Sequence, residues 1–368
     1  MNRGSETEAS LRRALCLLFW VLKSHNSGEK AIKQLDRSAQ LGLWLESHFP
    51  SGSFTMSPAS ADASFRRYFR LSFADGRPSV IVMDAPPPQE DCTPFVRIAG
   101  LLSAAGLNAP KIISQNLDQG FLLLSDLGKT TYLTAINEDE GKADALFNDA
   151  MDALVRWQAA SQPAILPAYD DALLRRELAI FPDWYVGRHL GVTLDDTQRN
   201  TLATTFDAIV GCNLAQPQVY VHRDYMPRNL MLSAPNPGIL DFQDAVYGPI
   251  SYDVASLFKD AFLSWPEERV LDWTIRYWQK AKKAGLPVRA DFGEFYTDCE
   301  WMGLQRHLKI MGIFARLNYR DGKPDYLADT PRFSRYVRGV ASRYNRLKPL
   351  LLLFDELENV ADSSGYTF

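Results

Sequence analysis

The chain has 368 residues, 46% of them hydrophobic and 23% charged. This composition is typical of folded globular proteins and excludes disorder for most of the chain. Lys and Arg number 40 against 44 Asp and Glu, for a net charge of −4, so no overall positive field attracts nucleic acid or an anionic membrane. We expect two or three domains and neither of those partners, and the composition indicates no particular oligomeric state.

The four cysteines are far apart and form neither a CxxC pair nor a zinc spacing, which is typical of a reducing compartment and predicts a cytoplasmic location. The apolar run Ala14 to Leu22 is about half of the roughly 20 residues that span a bilayer. Lys23-Ser24-His25 follows it, where a signal peptide would have its cleavage site. We therefore predict that residues 1–36 are an N-terminal extension.

From residue 37 the pattern predicts a helix at Ser38 to Ser47, followed by a region rich in β-formers. The predicted order is strand, strand, helix, strand, strand, at Arg67–Phe73, Ser79–Met83, Thr93–Ala105, Lys111–Ser114 and Phe121–Leu124. This order predicts a small sheet with one helix, assigned to a first lobe at residues 37–128.

Beyond Gly128 apolar residues recur at helical spacing, in Leu146–Gln158, Leu173–Leu190, Thr197–Ile209, Glu267–Ala284 and Phe292–Leu317. Three short apolar segments interrupt them, at Val219–Val221, Asn229–Leu232 and Gly238–Leu240. The pattern predicts an α+β protein with a larger, mostly helical second lobe at residues 129–368. We expect a cleft where the lobes join, near residues 125–128.

The region of the three short apolar segments contains two motifs with candidate catalytic residues. His222-Arg223-Asp224 with Asn229 matches H-R-D-x-x-x-x-N, and Asp241-Phe242-Gln243 matches D-F-G with Gln in place of Gly. Phosphoryl transfer needs a carboxylate that accepts the hydroxyl proton and oxygen ligands for Mg²⁺. We therefore predict Asp224 as the catalytic base, and Asn229 and Asp241 as metal ligands. The alternative is three unrelated loop residues, but their offsets beside short strands are difficult to produce by chance.

From about Gly52 onward the chain resembles the aminoglycoside phosphotransferase-like kinases, which are two-lobed relatives of protein kinases. Five phrases are similar to the bacterial N-acetylmuramate/N-acetylglucosamine anomeric kinases of cell-wall recycling, at Asp62–Phe69, Val82–Pro87, Phe181–Tyr185, Asp241–Pro249 and Leu304–Leu308. The resemblance implies a protein-kinase-like fold, ATP and Mg²⁺ as cofactors, and an amino sugar whose anomeric hydroxyl is phosphorylated.

The resemblance also implies a nucleotide site. The loop Ser60 to Phe65 would cover the ATP phosphates, and Ser125 to Leu127 would be the hinge that binds adenine. Asp253 would brace the catalytic loop, with His222 as a second structural support. The implied nucleotide-binding residues are Ser60, Asp62, Ala63, Ser64, Phe65, Arg66, Ser125 and Leu127.

Two features depart from the family pattern. The phosphate loop has no glycine, and Met83 stands where the ATP-pairing lysine is expected, with no Glu on the following helix to pair with it. We therefore predict that the Lys–Glu pair is absent and that Arg66 supplies the cation. Arg67 is its neighbour, and only one of two adjacent strand residues faces the nucleotide. A solvated arginine on the hairpin stays open as the alternative.

Sugar recognition requires polar groups for hydroxyls and an aromatic face for the ring. Glu177, Trp184 and Gln243 are candidates, and Arg306 and His307 are candidates for the carboxylate of a muramic acid. Some have structural alternatives: Trp184 in the core, Glu177 on a helix surface, Arg306 as a helix cation and His307 as a core histidine.

Two other functions stay open. The first is a kinase for another hydroxyl compound, such as an aminoglycoside. Aminoglycosides are polycations that need a strongly acidic site, and Asp183 and Glu177 alone supply little negative charge for one. An inactive pseudokinase that serves as a binding module is favoured by Met83 and the loop without glycine. It is opposed by the intact set of Asp224, Asn229 and Asp241.

Overall fold

The structure is a computed structural model that describes residues 28–60 and 65–364, with side chains described for 37–59 and 65–358. It consists of two compact units. The first contains the described residues up to Cys92 together with Ile112–Asp126, and the second contains Thr93–Lys111 and the chain from Leu127 onward. The helix that follows the third strand thus groups with the second unit, whereas the sequence placed it in the first lobe. The division at residue 128 stays a prediction.

The first unit is an antiparallel sheet with one helix. The helix is α1 (Gly28–Glu46), and the strands are β1 (Phe54–Ser60), β2 (Arg67–Phe73), β3 (Val80–Asp84), β4 (Ile112–Asn116) and β5 (Phe121–Ser125), in the order β1-β2-β3-β5-β4. Leu41 and Leu45 of α1 pack against Leu71, Val82 and Phe121 of the sheet. Helix α1 begins earlier than the predicted start at Ser38. Strand β1 is an addition, because its sequence contains a proline and small polar residues that weaken the strand signal.

The second unit is mostly helical. Its helices are α2 (Thr93–Ala104), α3 (Tyr132–Glu138), α4 (Ala143–Ala159), α5 (Asp171–Ile180), α6 (Asp196–Leu214), α7 (Tyr252–Phe258), α8 (Glu267–Lys283), α9 (Phe292–Asp321), α10 (Thr330–Arg343) and α11 (Lys348–Ser364). Among the helices of the described residues, none has the length and apolarity that a bilayer crossing demands.

The predicted helix Leu173–Leu190 is divided into α5 and a π-helical segment, Phe181–His189. The segment begins with Phe181-Pro182, and the missing N–H of a proline disturbs regular helical hydrogen bonding. Helix α9 packs closely on this region, since a Cβ at Gly312 would lie 2.4 Å from the carbonyl oxygen of Ile180. The glycine therefore allows the two backbones to approach.

Two small antiparallel ribbons interrupt the helices. Strand β6 (Gln218–Val221) pairs with β9 (Val246–Pro249), and β7 (Leu230–Met231) pairs with β8 (Gly238–Ile239). These ribbons anchor both ends of the loops that carry the two motifs. Strand β9 escaped the sequence analysis because it is only four residues long and contains Gly and Pro.

Candidate active site

The catalytic loop begins where β6 ends, and a buried carboxylate fixes its first two residues. Asp253 lies in the first turn of α7 and is 0% exposed. Its Oδ2 accepts the N–H of His222 at 2.7 Å, and its Oδ1 accepts the N–H of Arg223 at 3.0 Å. Burial raises the pKa of Asp253 to about 7, although these two N–H groups act in the opposite direction. Asp253 thus makes the contacts that a bracing residue requires.

His222 links the two motifs. Its Nδ1 accepts the N–H of Asp224 at 3.3 Å, and its Nε2 donates to the carbonyl oxygen of Leu240 at 3.0 Å, next to Asp241. Burial lowers the pKa of His222 to about 4. The imidazole is therefore neutral near pH 7, with one nitrogen that donates and one that accepts, as these two contacts require.

Arg223 has a left-handed backbone, with φ at 76°. This conformation costs a residue with a side chain roughly 1–3 kcal/mol and persists where its surroundings enforce it. Here Asp253 binds its N–H, Nη1 of Arg306 donates to its carbonyl oxygen at 2.8 Å, and its guanidinium donates to Glu177. The residue that precedes Asp224 is thus fixed through its backbone and its side chain.

The structure brings the predicted metal ligands together. Asn229 Nδ2 donates to the carbonyl oxygen of Asp224 at 2.9 Å and to Oδ2 of Asp241 at 3.2 Å. Gln243 Nε2 donates to Oδ1 of Asp241 at 2.8 Å. Asp241 is exposed, and its own backbone is left-handed, with φ at 61°. The H-R-D loop and the D-F-Q segment therefore meet at the Asn229–Asp241 contact.

The oxygen atoms around Asp241 fit the ligands that Mg²⁺ requires. Asp241 offers a carboxylate, and the Oε1 of buried Gln243 is without a hydrogen-bond partner in the described part of the chain. Asn229 uses its amide nitrogen in both contacts, which leaves its amide oxygen for a ligand. Within residues 28–60 and 65–364 no group of three or more His, Cys, Asp or Glu could bind a metal. Such a sparse oxygen set suits Mg²⁺, which binds one or two carboxylates and completes its shell with phosphates and water.

Three of the predicted sugar contacts lie inside the second unit. Glu177, Arg306 and His307 are 4%, 4% and 1% exposed, and each contacts other protein groups. His307 stacks on Tyr336 at 4.9 Å between ring centroids, and burial lowers its pKa to about 3, so it is neutral and does not offer a cation to a carboxylate. Arg306 binds the backbone of Arg223. These placements favour the structural alternatives, with Glu177 inside the unit and not on a helix surface.

Trp184 lies on the π-helical segment and is half-buried. It borders an open depression of about 470 Å³, which is also lined by Asp183, Arg188, Tyr319 and Arg320. The Arg188 guanidinium lies over the Tyr319 ring, 5.5 Å from its centroid. An indole face beside charged side chains suits a sugar, so contact between Trp184 and the substrate stays a prediction.

The predicted phosphate loop falls mostly outside the described residues, since Asp62, Ala63 and Ser64 and the side chain of Ser60 are not among them. Its last residue, Phe65, is 67% exposed. Ser125 ends β5, where it pairs with Val80 of β3, and Leu127 belongs to the second unit.

Arg66 has a carboxylate partner. Its Nε donates to Oε2 of Glu90 at 3.0 Å, and the N–H of Phe65 donates to Oε1 of the same carboxylate at 3.1 Å. The Arg66 side chain is 13% exposed, so the alternative of a solvated arginine is wrong. Glu90 lies in the segment before α2, and Met83 is 0% exposed on β3. The carboxylate beside Arg66 therefore comes from a loop and not from the following helix.

Arg67 binds a different carboxylate from Arg66. It pairs with Asp84, which is 0% exposed and also accepts Nη2 of Arg37 at 2.7 Å. Arg70 donates to Oδ2 and Oδ1 of Asp126, at 2.6 and 3.0 Å. The buried negative charge of Asp84 is thus balanced by two arginines. This pairing makes Arg67 a structural residue of the sheet.

The sequence profile of the phosphotransferase enzyme family matches residues 55–292. The chain belongs to this family. Over 334 residues it is 53% identical to the N-acetylmuramate/N-acetylglucosamine kinase of Pseudomonas putida, covering 88% of this chain and 97% of that protein. Over 337 residues it is 52% identical to the kinase of the same name from Pseudomonas aeruginosa, covering 89% and 98%.

Among solved structures, the phosphotransferase is similar to an ethanolamine kinase from Plasmodium vivax, with a TM-score of 0.60, 10% identity, and coverage of 89% of this chain and 94% of that chain. Identity this low shows a shared fold alone. The predicted α+β, protein-kinase-like fold is confirmed, and so is the predicted phosphotransferase class.

Some contacts of the phosphotransferase site escaped the sequence analysis. Glu90 lies 24 positions from Arg66, and Lys309 lies 132 positions from Glu177, to which its Nζ donates at 2.8 Å. No local motif relates such residues, because side-chain ion pairs of this kind depend on how separate elements pack. Lys309 stands directly before an apolar run at residues 310–314 of α9, but its charge alone does not indicate which carboxylate it contacts.

Proposed function

We propose that this phosphotransferase uses ATP to phosphorylate the anomeric hydroxyl of N-acetylmuramate, N-acetylglucosamine or both. The observation that carries the proposal is the Asn229–Asp241 contact of 3.2 Å, which joins the two motifs beside Asp224. The relatives that are more than half identical over most of their length carry the name of this activity, and they support the same substrate class here.

Asp224 is the proposed base. Its N–H is bound by His222 and its carbonyl oxygen by Asn229, so its backbone is fixed on both sides. A fixed carboxylate can accept the proton of a sugar hydroxyl as phosphorus–oxygen bond formation proceeds, which is worth roughly 10²–10⁴-fold in rate. An anomeric hydroxyl is more acidic than an ordinary alcohol, and this reduces the work that Asp224 performs.

Asn229 and Asp241 are the proposed ligands of Mg²⁺, with Gln243 beside them. The bound ion would neutralise charge on the ATP phosphates. Gln243 orients Asp241 through the 2.8 Å hydrogen bond, and its buried Oε1 is available to a sugar hydroxyl or to water. We keep Gln243 and Trp184 as the proposed sugar contacts.

ATP binding is proposed for Arg66, Phe65, Ser125 and Leu127. A cation is required because several negative charges gather on the nucleotide, and Arg66 is a partly shielded guanidinium. ATP use also supports the predicted cytoplasmic location, since the substrate nucleotide must share the compartment of the enzyme.

The experiment is a product analysis. Purified protein is incubated with ATP, Mg²⁺ and N-acetylmuramate, N-acetylglucosamine or an aminoglycoside, and the product is examined by phosphorus NMR. A sugar 1-phosphate couples to the single anomeric proton, whereas a 6-phosphate couples to two protons. We expect the 1-phosphate with at least one amino sugar. A 6-phosphate would contradict the proposed hydroxyl, turnover of the aminoglycoside alone would contradict the proposed substrate, and no turnover of any of the three acceptors would contradict the proposed activity.

A further inference from the structure

Glu177 is a buried carboxylate whose two oxygens are both engaged inside the second unit. Its Oε1 accepts hydrogen bonds from the Arg223 guanidinium and from Lys309 Nζ, the latter at 2.8 Å, and its Oε2 accepts the hydroxyl of Tyr169. Only 4% of Glu177 is exposed. A sugar hydroxyl would have to displace one of these partners, so the observed contacts do not suit a direct substrate ligand.

Two cations, Arg223 and Lys309, face Glu177, and both also interact electrostatically with Asp224. The two cations outweigh the cost of burial and hold the pKa of Glu177 at about 2. Burying such a group is expensive unless its geometry is well satisfied, so buried ion pairs are poor evidence for stability by themselves. We therefore assign the Glu177 contacts a positional effect: they hold the Arg223 side chain in one place.

Arg223 connects this group to the base. Its left-handed backbone directs the chain into Asp224, and its guanidinium contacts Glu177 and, at 3.4 Å, the carbonyl oxygen of Asp244 in the second motif. Arg306 and Asp253 bind its backbone but leave the direction of its side chain open. Glu177 therefore supplies the charged partner, and the carbonyl oxygen of Asp244 a longer contact, for the side chain of the residue next to Asp224.

We propose that Glu177 is a positioning residue for phosphoryl transfer, which acts through Arg223 on Asp224, and that Lys309 orients Glu177. The proposal rests on the proposed function above. A misplacement of about 1 Å in a reacting group can lower turnover by roughly 10²-fold. Loss of the Glu177 charge should thus reduce kcat by about tenfold to a hundredfold, while the KM for the sugar stays within about twofold.

The first test compares Glu177→Gln with Glu300→Gln. Glu300 is 1% exposed on α9 and contacts Arg343 and Tyr344, so it is a buried carboxylate of similar kind outside the catalytic loop. We expect both variants to lower the melting temperature, and only Glu177→Gln to lower kcat per folded molecule. A raised sugar KM with unchanged kcat in Glu177→Gln would identify a direct sugar ligand and overturn the proposal.

A second readout needs no substrate. Hydrogen–deuterium exchange in peptides that cover residues 221–228 should become faster in Glu177→Gln and stay unchanged in Glu300→Gln. Unchanged exchange in this loop in both variants would overturn the positioning role even if the protein proves to be a sugar kinase. If the wild-type protein turns over no sugar, the proposed function fails, and the exchange result still decides whether Glu177 orders the loop.

The role of Lys309 is tested by a double-mutant cycle on kcat. Lys309→Met keeps a long apolar side chain and removes the charge next to Glu177. If Lys309 acts through Glu177, the double variant should be no slower than the slower single variant within about twofold. Multiplied effects of the two changes would show that Lys309 acts independently, which would overturn that part of the proposal.

Discussion

The H-R-D loop of the second unit and the region of strand β2 in the first unit both carry charged residues. The contacts that hold these residues in place differ between the two regions. In the loop, buried side chains bind the backbone: Asp253 and Arg306 bind the N–H and carbonyl groups around Arg223. In β2 and just before it, Arg67, Arg70 and Arg66 each pair with a carboxylate on another segment, and their side chains are 32%, 13% and 13% exposed.

The two kinds of contact have different consequences: one fixes the position of the backbone, and the other supplies a charged side chain. A backbone held by buried groups keeps one position, because every alternative leaves a polar group unsatisfied. A side-chain ion pair such as Arg66–Glu90 fixes no backbone, and a guanidinium can exchange a carboxylate partner for a phosphate of similar geometry. We infer that the loop contributes a fixed proton acceptor, whereas Arg66 can contribute charge that moves from Glu90 to a phosphate. Changes in the loop should therefore have the larger effects on turnover.

The largest effect is expected for Asp224→Asn. Loss of the proton acceptor should lower kcat by roughly 10²–10⁴-fold, equal to about 3–5 kcal/mol, with little change in ATP affinity. Steady-state kinetics and isothermal titration with an ATP analogue measure the two quantities. Asp272→Asn, which removes a surface carboxylate that pairs with Arg276 on the same helix, is the matched control. An Asp224→Asn enzyme with wild-type turnover would remove Asp224 from the mechanism.

The neutral histidine gives the loop a pH signature. The pKa of His222 is lowered from 6.5 to about 4 in the folded protein, so the unfolded chain takes up this proton first and wild-type stability falls as the pH drops from 6.5 towards 4. His222→Gln should be less stable at pH 7.5, and its deficit should shrink by about 2 kcal/mol between pH 7.5 and pH 5. Asp253 has a raised pKa, which acts in the opposite direction, but it is present in both proteins and largely cancels in the difference.

Urea unfolding of both proteins at pH 7.5, 6 and 5 measures this difference. His48→Gln is the control, because His48 is exposed. A deficit that stays constant with pH in His222→Gln would show that folding does not shift the pKa of His222, which would contradict the neutral buried imidazole.

Asp241→Ala tests the metal contact of the same loop region. A ligand at 100 times its Kd stabilises a protein by about 2.7 kcal/mol. We expect Mg²⁺ with ATP to raise the melting temperature of the wild type and to lose this effect in Asp241→Ala, while ATP with EDTA gives similar small shifts in both proteins. Full Mg²⁺-dependent stabilisation of the variant would exclude Asp241 as a ligand.

The sequence was informative about the loop for a physical reason. The spacing of Asp224 and Asn229 matches a motif confined to one short loop, so it can be recognised from the sequence without coordinates. Strands β2, β3 and β5 were also predicted, because their β-formers and turns are local signals. Glu177 and Glu90 are different. Their partners come from distant segments, and a lone carboxylate does not reveal which cation it will meet.

The smallest effect is expected where β2 begins, at two adjacent arginines whose variants Arg66→Met and Arg67→Met are matched to each other. Arg66→Met should raise the KM for ATP about tenfold, equal to about 1.4 kcal/mol, because a charge-assisted contact with phosphate is lost. Arg67→Met should leave that KM within about twofold and lower the stability of the protein, because the buried Asp84 then has Arg37 alone as an arginine partner among the described residues. Kinetics with varied ATP and thermal unfolding separate the two outcomes. If Arg67→Met is instead the variant that raises the KM for ATP, Arg67 and not Arg66 contacts the phosphates. The Arg67–Asp84 pair would then be the one that opens when the nucleotide binds.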